Sequence, residues 1–464
     1  MPSKEKPDDL DNFFKAESVA VIGASATPGK IGYEVLRSLS QYGYKGHVYP
    51  ITPKTEEILG LKCYPSILNL PEPPDLAVFT LSSTLIPDLL RACGEKGVKN
   101  VVIISGGFQE LGGNYQMIQD KVVEIAKKYK IRVIGPNCIG VFNSKNKLDT
   151  FFQSRERMAR PPPGPIAFLT QSGTFGCAML EWTAESGVGI SKFVSYGNRC
   201  DVDEADLIRY LGNDTDTKVI AIYLENIENG RKFMKAVQEA LPKKPIVVLK
   251  SGRTDWGSRA ARSHTGQLAG SYRVCEAVFK QSGLIEAKNF EELFDMAKAL
   301  ALQPPATGNK IAMVTNGAGP CVMAADACVE RGLILAKYQS ETIQKLKSTL
   351  PPYYIIENPI DLTGSASSRD YEIAIEHLAQ DQTVDLIMPF FVFQDTPLDE
   401  KIVEIIPEMM KYNKPIVCCA TGGQYTKVQS AILERRGVPV FPIPERAVAA
   451  AYALVRYGTF VRGC

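Results

Sequence analysis

The chain has 464 residues, of which 45 % are apolar and 22 % charged, with a formal net charge of +2. That balance gives no field to gather nucleic acid or a membrane surface, and the length suffices for about three domains, each with its own core. Eleven cysteines are scattered without a C-x-x-C pair, and two of them, Cys418 and Cys419, are neighbours, so neither a disulfide framework nor a metal site is read from them. No run approaches the length of a membrane span and residues 1–9 hold no apolar signal core, so reduced thiols and a cytoplasmic location are expected.

From residue 18 onward, short apolar runs alternate with amphipathic stretches. The runs at 19–22, 47–51, 76–79, 101–104 and 131–134 predict parallel strands, and the stretches at 31–39, 85–95 and 117–128 predict the helices between them. This β-α-β-α-β pattern makes residues 1–145 a doubly wound, Rossmann-like unit. The proline cluster at 160–164 marks a boundary, since consecutive prolines continue neither helix nor central strand. A second α/β unit is expected over 160–303, with strands at 166–169, 190–194, 219–224 and 246–249 and helices at 175–186, 204–211 and 231–240. Beyond a linker at 303–309, a third unit of the same kind is expected over 309–464, with strands at 311–314, 386–389 and 416–419.

The first strand runs into a turn rich in small residues, Gly23, Ala24 and Ser25, then Gly29 and Gly32 at a helix start, where free N–H groups and the helix dipole suit a phosphate. A nicotinamide dinucleotide would want G-x-G-x-x-G and an acid after the second strand. Lys54 stands there instead, which suits a ligand with an extra phosphate such as coenzyme A, although Glu56 and Glu57 are nearby. A P-loop is a near miss, with one residue too many between the glycines and Ile31 in place of the magnesium-binding hydroxyl. Ser105, Gly106 and Gly107 follow one strand and Asn137 another, at the carboxyl edge where ligands of this fold collect, though each can also be an ordinary turn. Ser172, Gly173 and Thr174 open a helix directly after a strand and are expected to receive a phosphorylated group rather than serve only as an N-cap. Asn316, Gly317, Ala318 and Gly319 repeat that context in the third unit. Glu225 ends a very apolar strand, where a carboxylate either orients an imidazole or stays solvated.

The polar stretch at 251–270 follows the apolar run 245–249 and carries His264, one of three histidines, among Arg253, Arg259 and Arg262. A phosphoryl carrier that travels in a moving loop and a merely solvated imidazole are its two readings.

Taken together, these motifs resemble the α subunit of the NDP-forming acyl-CoA synthetases, the ADP-forming acetate–CoA ligases related to succinyl-CoA synthetase. The likeness rests on Ser-Val-Ala-Val-Ile-Gly-Ala-Ser at 18–25, Lys-Ile-Gly-Tyr at 30–33, Gly-Pro-Asn-Cys at 135–138 and Gln-Ser-Gly-Thr-Phe-Gly at 171–176. It also rests on Ser-Tyr-Gly-Asn at 195–198 and Ser-His-Thr-Gly at 263–266. The resemblance implies an N-terminal Rossmann-like CoA-binding domain followed by two flavodoxin-like domains. It makes His264 the phosphorylated histidine, Glu225 the acid that steadies it, and residues 172–174 and 316–319 the two helix ends around the phosphoryl group. Gly23, Ala24, Ser25, Lys54, Ser105, Gly106, Gly107 and Asn137 become coenzyme A contacts. Acyl-CoA, phosphate and ADP or GDP would give the acid, CoA and ATP or GTP. No metal site is expected on this chain. Mg-nucleotide would be bound mainly by an ATP-grasp β subunit in an α2β2 heterotetramer. Trp256, Arg262 and Gln267 depart from the family's histidine loop. A non-catalytic CoA-sensing protein of the same fold is the alternative, and a dehydrogenase a third.

Overall fold

The computed structural model describes residues 9–259 and 272–463. The chain divides into two compact units, residues 1–284 and 285–464.

The first unit holds two sheets. One is five-stranded and parallel, from β1 (Ser18–Ile22), β2 (His47–Ile51), β3 (Leu76–Phe79), β4 (Asn100–Ile103) and β5 (Arg132–Ile134), in the order β2-β1-β3-β4-β5. Ile22 pairs with both Ile51 and Phe79, so the loops after β1, β2 and β3 leave the same edge. Strands buried on both faces need near-continuous apolar runs, and the four residues of β3 are buried throughout. The helices between are α1 (Ile31–Gln41), α2 (Ile86–Lys96) and α3 (Asn114–Tyr129). Gly32 lets α1 seat on the strand end, because a Cβ there would lie 2.3 Å from the Gly23 carbonyl oxygen.

The second sheet is built from β6 (Gly140–Asn143), β7 (Leu148–Asp149), β8 (Pro163–Thr170), β9 (Ile190–Ser195), β10 (Val219–Leu224) and β11 (Ile246–Lys250), in the order β11-β10-β8-β9-β6-β7. The strands β8 to β11 are parallel, and β6 runs antiparallel to β9. Helices α4 (Gly173–Glu185), α5 (Glu204–Asn213) and α6 (Gly230–Ala240) connect them, and α7 (Tyr272–Ser282) follows the undescribed segment. Residues 140–143, expected within a first domain ending at 145, hydrogen-bond into this second sheet instead. Their all-buried pattern fits either sheet, and only pairing with Lys192, Phe193, Val194 and Ser195 decides.

The second unit has a seven-stranded sheet whose parallel core is β12 (Lys310–Thr315), β13 (Ile360–Asp361), β14 (Leu386–Phe391), β15 (Cys418–Ala420) and β16 (Val440–Phe441), in the order β13-β12-β14-β15-β16, with Ile355–Ile356 antiparallel on β13 and Ile334–Leu335 parallel on β12. Its helices include α8 (Phe290–Leu302), α9 (Gly319–Glu330), α10 (Ser368–Gln380), α11 (Gln424–Arg435) and α12 (Pro444–Gly463). Helix α8 precedes the Pro-rich stretch at 303–309 yet belongs to this unit, so the division comes ahead of that stretch rather than at it. The reason is burial: residues 292–301 of α8 are all buried, and α8 is locked to α12 by a two-pronged pair, Arg446 Nε and Nη2 donating to Asp295 at 2.6 and 2.8 Å.

Asp295 is fully buried and burial pushes its carboxyl up against the pull of Arg446. Removing one partner of such a pair strands the other charge. Asp295→Ala is therefore expected to cost about 3 kcal/mol in chemical denaturation. Arg369→Ala, which loses only a surface partner of Glu372, should cost under about 0.5 kcal/mol.

Candidate active site

In each parallel sheet the order reverses beside the first strand, so the loops after the first and third strands leave the carboxyl edge in opposite directions and open a crevice between them. In the first unit, these loops and their neighbours enclose a cavity of about 530 Å³. Ser105, Gly106 and Asn137 come to it from the first sheet, and Ser172, Gly173, Thr174 and Glu225 from the second. The sequence separated these residues by up to 120 positions; the crevice brings them together.

Ser172, Gly173 and Thr174 sit where α4 begins. Thr170, the last residue of β8, fixes the turn: its Oγ1 accepts from the Ser172 N–H at 3.0 Å and donates to the Ser172 carbonyl at 2.8 Å. Ser172 Oγ then caps the helix by accepting from the Phe175 N–H at 3.3 Å. The helix meets its strands closely, since a Cβ on Gly176 would fall 2.6 Å from Phe193 Cζ. The positive end of the α4 dipole thus faces the cavity, which favours an anion there.

Glu225, half-buried, follows β10, the strand next to β8. Its N–H donates to Gln171 Oε1, and its carbonyl accepts from Lys250 Nζ at 2.6 Å. Lys250 is itself buried at the end of β11. The main chain that bears the Glu225 carboxylate is therefore anchored on both sides, in the wall that the N-terminus of α4 also lines. Burial favours the neutral form of the thiols in the wall, pushing Cys138 up to about 12 and Cys177 upward as well.

The other wall is a turn in which the Gly135–Pro136 peptide is cis and Asn137 has φ +58°. The Asn137 N–H donates to the Ser105 carbonyl at 2.9 Å, joining the two loops of the first sheet. The segment after β9 is fastened along this turn, Asn198 N–H to Pro136 carbonyl at 2.9 Å and Cys200 N–H to Gly135 carbonyl at 3.0 Å. Gly107 is not among the residues that line the cavity, and its N–H goes to Glu110 Oε1 at 2.6 Å. Glu110 also accepts from Asn198 Nδ2 at 2.6 Å, a cross-link that the loop sequence alone does not reveal.

Gly23, Ala24 and Ser25 occupy the crevice of the first sheet, outside this cavity's wall. Gly23 has φ +94°, and Thr80 Oγ1 ties the turn to the β3 edge through the Ile22 and Gly23 carbonyls, both at 3.2 Å. Lys54 is exposed beyond Ile51, which accepts from the Gly23 N–H at 3.2 Å. The Gly29 N–H is taken by Glu34 Oε1 at 3.0 Å. His264, with Arg262 and Gln267, lies outside the described residues. Of its expected neighbours, Arg253 stands 5.3 Å from the Tyr272 ring and Arg259 5.0 Å from the Trp256 ring.

In the second unit, residues 316–319 follow β12 and open α9, as expected. The Asn316 side chain is spent internally: Oδ1 accepts from the Val392 N–H at 2.9 Å and the Tyr371 hydroxyl at 2.8 Å, and Nδ2 donates to the Val392 carbonyl and Asp395, each at 3.0 Å. What this turn offers an anion is backbone. Among the described residues, no group of three or more His, Cys, Asp or Glu is placed to hold a metal ion, and no helix is long and apolar enough to cross a membrane.

Residues 17–144 match the CoA binding domain, 163–300 the succinyl-CoA ligase like flavodoxin domain and 311–460 the ligase-CoA domain. The chain is 40 % identical to the acetate–CoA ligase [ADP-forming] II subunit alpha of Pyrococcus furiosus, over 98 % of this chain and 99 % of that one. It is 42 % identical to the acetate–CoA ligase [ADP-forming] I of Archaeoglobus fulgidus, over 97 % of this chain but 64 % of that longer one. Its structure is similar to that of the dinucleotide forming acetyl-coenzyme A synthetase 1 of Ca. Korarchaeum cryptofilum in complex with phosphate and ADP, with a TM-score of 0.91, 36 % identity and 98 % of each chain covered.

Gly197 is where the two halves of the wall touch. It has φ +48°, and a Cβ would lie 2.3 Å from the carbonyl oxygens of both Pro136 and Asn137. Gly197→Ala should cost more than about 2 kcal/mol in thermal denaturation, since strain and backbone overlap combine. Gly187→Ala, at φ +70° with open space around it, should cost only about 1 kcal/mol.

Proposed function

Because the chain belongs to the family of the ADP-forming acetate–CoA ligases and their alpha subunits, we propose that it is the acyl-transferring, phosphoryl-carrying chain of such an enzyme, acting in the cytoplasm on acetyl-CoA or a similarly small acyl-CoA. The observation that carries this reading is the shared cavity, lined together by Glu225, the N-terminus of α4 and the Ser105–Gly106 and Asn137 loops.

The chemistry runs in three transfers. Phosphate oxygen attacks the thioester carbonyl and CoA leaves as the thiolate, giving an acyl phosphate. An imidazole nitrogen of His264 attacks the phosphorus and the carboxylic acid leaves as its anion. The phosphohistidine then gives its phosphoryl group to ADP or GDP, forming the P–O bond of the triphosphate as the P–N bond breaks. Glu225 accepts the N–H of the imidazole, which fixes the tautomer and raises the basicity of the attacking nitrogen. The α4 N-terminus, with Ser172, Gly173 and Thr174, stabilises the charge on the phosphoryl oxygens.

Gly23, Ala24, Ser25 and Lys54 hold the nucleotide end of coenzyme A, and Ser105, Gly106, Gly107 and Asn137 its thiol arm. What supports this division is that Ser105, Gly106 and Asn137 line the cavity, whereas Gly23, Ala24 and Ser25 follow β1 outside its wall. Residues 316–319 form the second phosphate station. An ATP-grasp β subunit supplies the Mg-nucleotide site in an α2β2 assembly, in keeping with relatives that occur both as separate alpha subunits and as longer single chains. The domains proposed are 1–145, 160–303 and 309–464 for ligand contacts, although the strand β6 and the helix α8 pack across those limits.

Incubation of the chain and its partner with acetyl-CoA and labelled phosphate is expected to give an acid-labile, base-stable label that His264→Ala abolishes. Glu225→Gln should slow labelling about a hundredfold at little changed KM for acyl-CoA. Absence of label in the wild type would reduce the protein to CoA binding without turnover. Saturation by NADH at about micromolar levels would overturn the role of Lys54.

A further inference from the structure

We propose that Gln171 is a positioning residue that sets where the Glu225 carboxylate stands, an inference that rests on the ligase reading above for its catalytic consequence. Gln171 lines the cavity between Thr170 and the helix cap Ser172, a place from which a side chain could reach a ligand. Its carboxamide is instead consumed by the protein. Oε1 accepts from the N–H groups of Glu225 and of Asn226, the latter at 3.1 Å. Nε2 donates to the Asn226 carbonyl at 3.1 Å and to Asn226 Oδ1 at 3.3 Å. An amide oxygen has two lone pairs and an amide nitrogen two hydrogens, so the group is used up.

The clamp closes from the other side through Arg199. This residue is buried at φ +48°, a backbone conformation that costs a non-glycine residue and persists only where its surroundings enforce it. Its Nη1 donates to the Asn226 carbonyl at 2.8 Å and its Nη2 to Asn226 Oδ1 at 2.5 Å, while Glu204 Oε2 at 3.2 Å and Glu228 Oε1 at 3.1 Å balance its charge. Glu225 and Asn226 are thus gripped between the loop that starts α4 and the loop that lies on the Asn137 turn.

The second unit repeats the device independently. Thr315 Oγ1 exchanges hydrogen bonds with Gly317 as Thr170 does with Ser172, at 2.9 and 2.8 Å. Asn316 then grips Val392 after β14 as Gln171 grips Glu225 and Asn226 after β10. A Thr-amide pair ending the first strand, whose amide seizes the backbone after the third strand, is a built feature of both sheets. In the second sheet, what it carries is the acid.

Gln171→Leu keeps the side chain's bulk and removes its hydrogen bonds. Hydrogen exchange on the purified chain, read without substrates, should show the Glu225 and Asn226 amides exchanging about tenfold faster, with melting of the chain little altered. In the chain with its ATP-grasp partner, kcat should fall about tenfold or more while KM for acetyl-CoA stays within about twofold. Unchanged amide protection overturns the clamp, whatever the activity. Lost protection with unchanged kcat overturns the positioning role, and a raised KM at unchanged kcat would make Gln171 a ligand contact instead. Arg199→Lys, which cannot hold both Asn226 oxygens at once, is expected to reproduce the exchange and kcat effects. Failure of the wild-type labelling described above would remove the ligase reading, and the exchange measurement would still decide the clamp.

Discussion

Everything at the candidate site depends on one topological constraint, the reversal of strand order beside the first strand of each parallel sheet. Hydrogen bonding aligns β8 with both β9 and β10, so the chain must leave β8 between two neighbours reached in opposite directions. Backbone N–H groups at the start of α4 then face the gap, and the residue after β10 faces them. No local propensity places Glu225 opposite Ser172. The sheet does, and the same reasoning sets Thr80 against Gly23 and Val392 against Asn316.

Opening such a gap exposes backbone that must be satisfied without a ladder partner, and in this protein side chains supply it. Thr80 takes the carbonyls where β1 ends, at Ile22 and Gly23, Gln171 takes the groups after β10, and Asn316 those after β14. The buried cations serve the same end. Arg199 and Lys250 are nearly inaccessible, and each donates to a carbonyl of the segment 225–226. Burying a guanidinium among Glu204, Glu228 and Asn226 brings little net stability, because desolvation offsets most of the attraction. What it brings is a fixed geometry, and the pull on Glu204 shows the balance: burial raises its carboxyl although Arg199 lowers it.

The strands and helices were legible because the apolar runs are nearly continuous and the intervening stretches amphipathic; β2 and β3 coincide with the expected limits to the residue. The fold class, and the place of Ser105, Gly106, Asn137, Ser172 and Glu225 at the carboxyl ends of their strands, followed from the apolar runs; that residues of two sheets share one cavity did not. Three further features did not. Residues 140–143 look like a strand of either sheet, and pairing with β9 is a long-range choice that periodicity does not encode. Helix α8 precedes the prolines at 303–309, but its almost wholly buried surface commits it to α12. Glu110 and Glu34 belong to no motif in the sequence, yet each closes a glycine turn by accepting its N–H. Gln171 was visible as part of a motif without a role, since its partners lie 54 and 55 residues away.

The two Thr-amide turns also separate what is generic from what is specific. A helix N-terminus after a strand attracts any anion, and both α4 and α9 present one. The segments they face differ. In the second unit the acid beyond β14 is Asp395, whose Oδ2 accepts from Asn316 Nδ2, so its carboxylate is part of the clamp. In the first unit the clamp holds Glu225 by its main-chain N–H and leaves the side chain outside the grip of Gln171. One turn can therefore cradle a phosphoryl group, whereas the other can cradle it and set a base beside it. Activating a nucleophile takes an acid held beside the anion site, and of the two turns it is the one after β8 whose own amide grips the main chain of its acid and not the carboxylate.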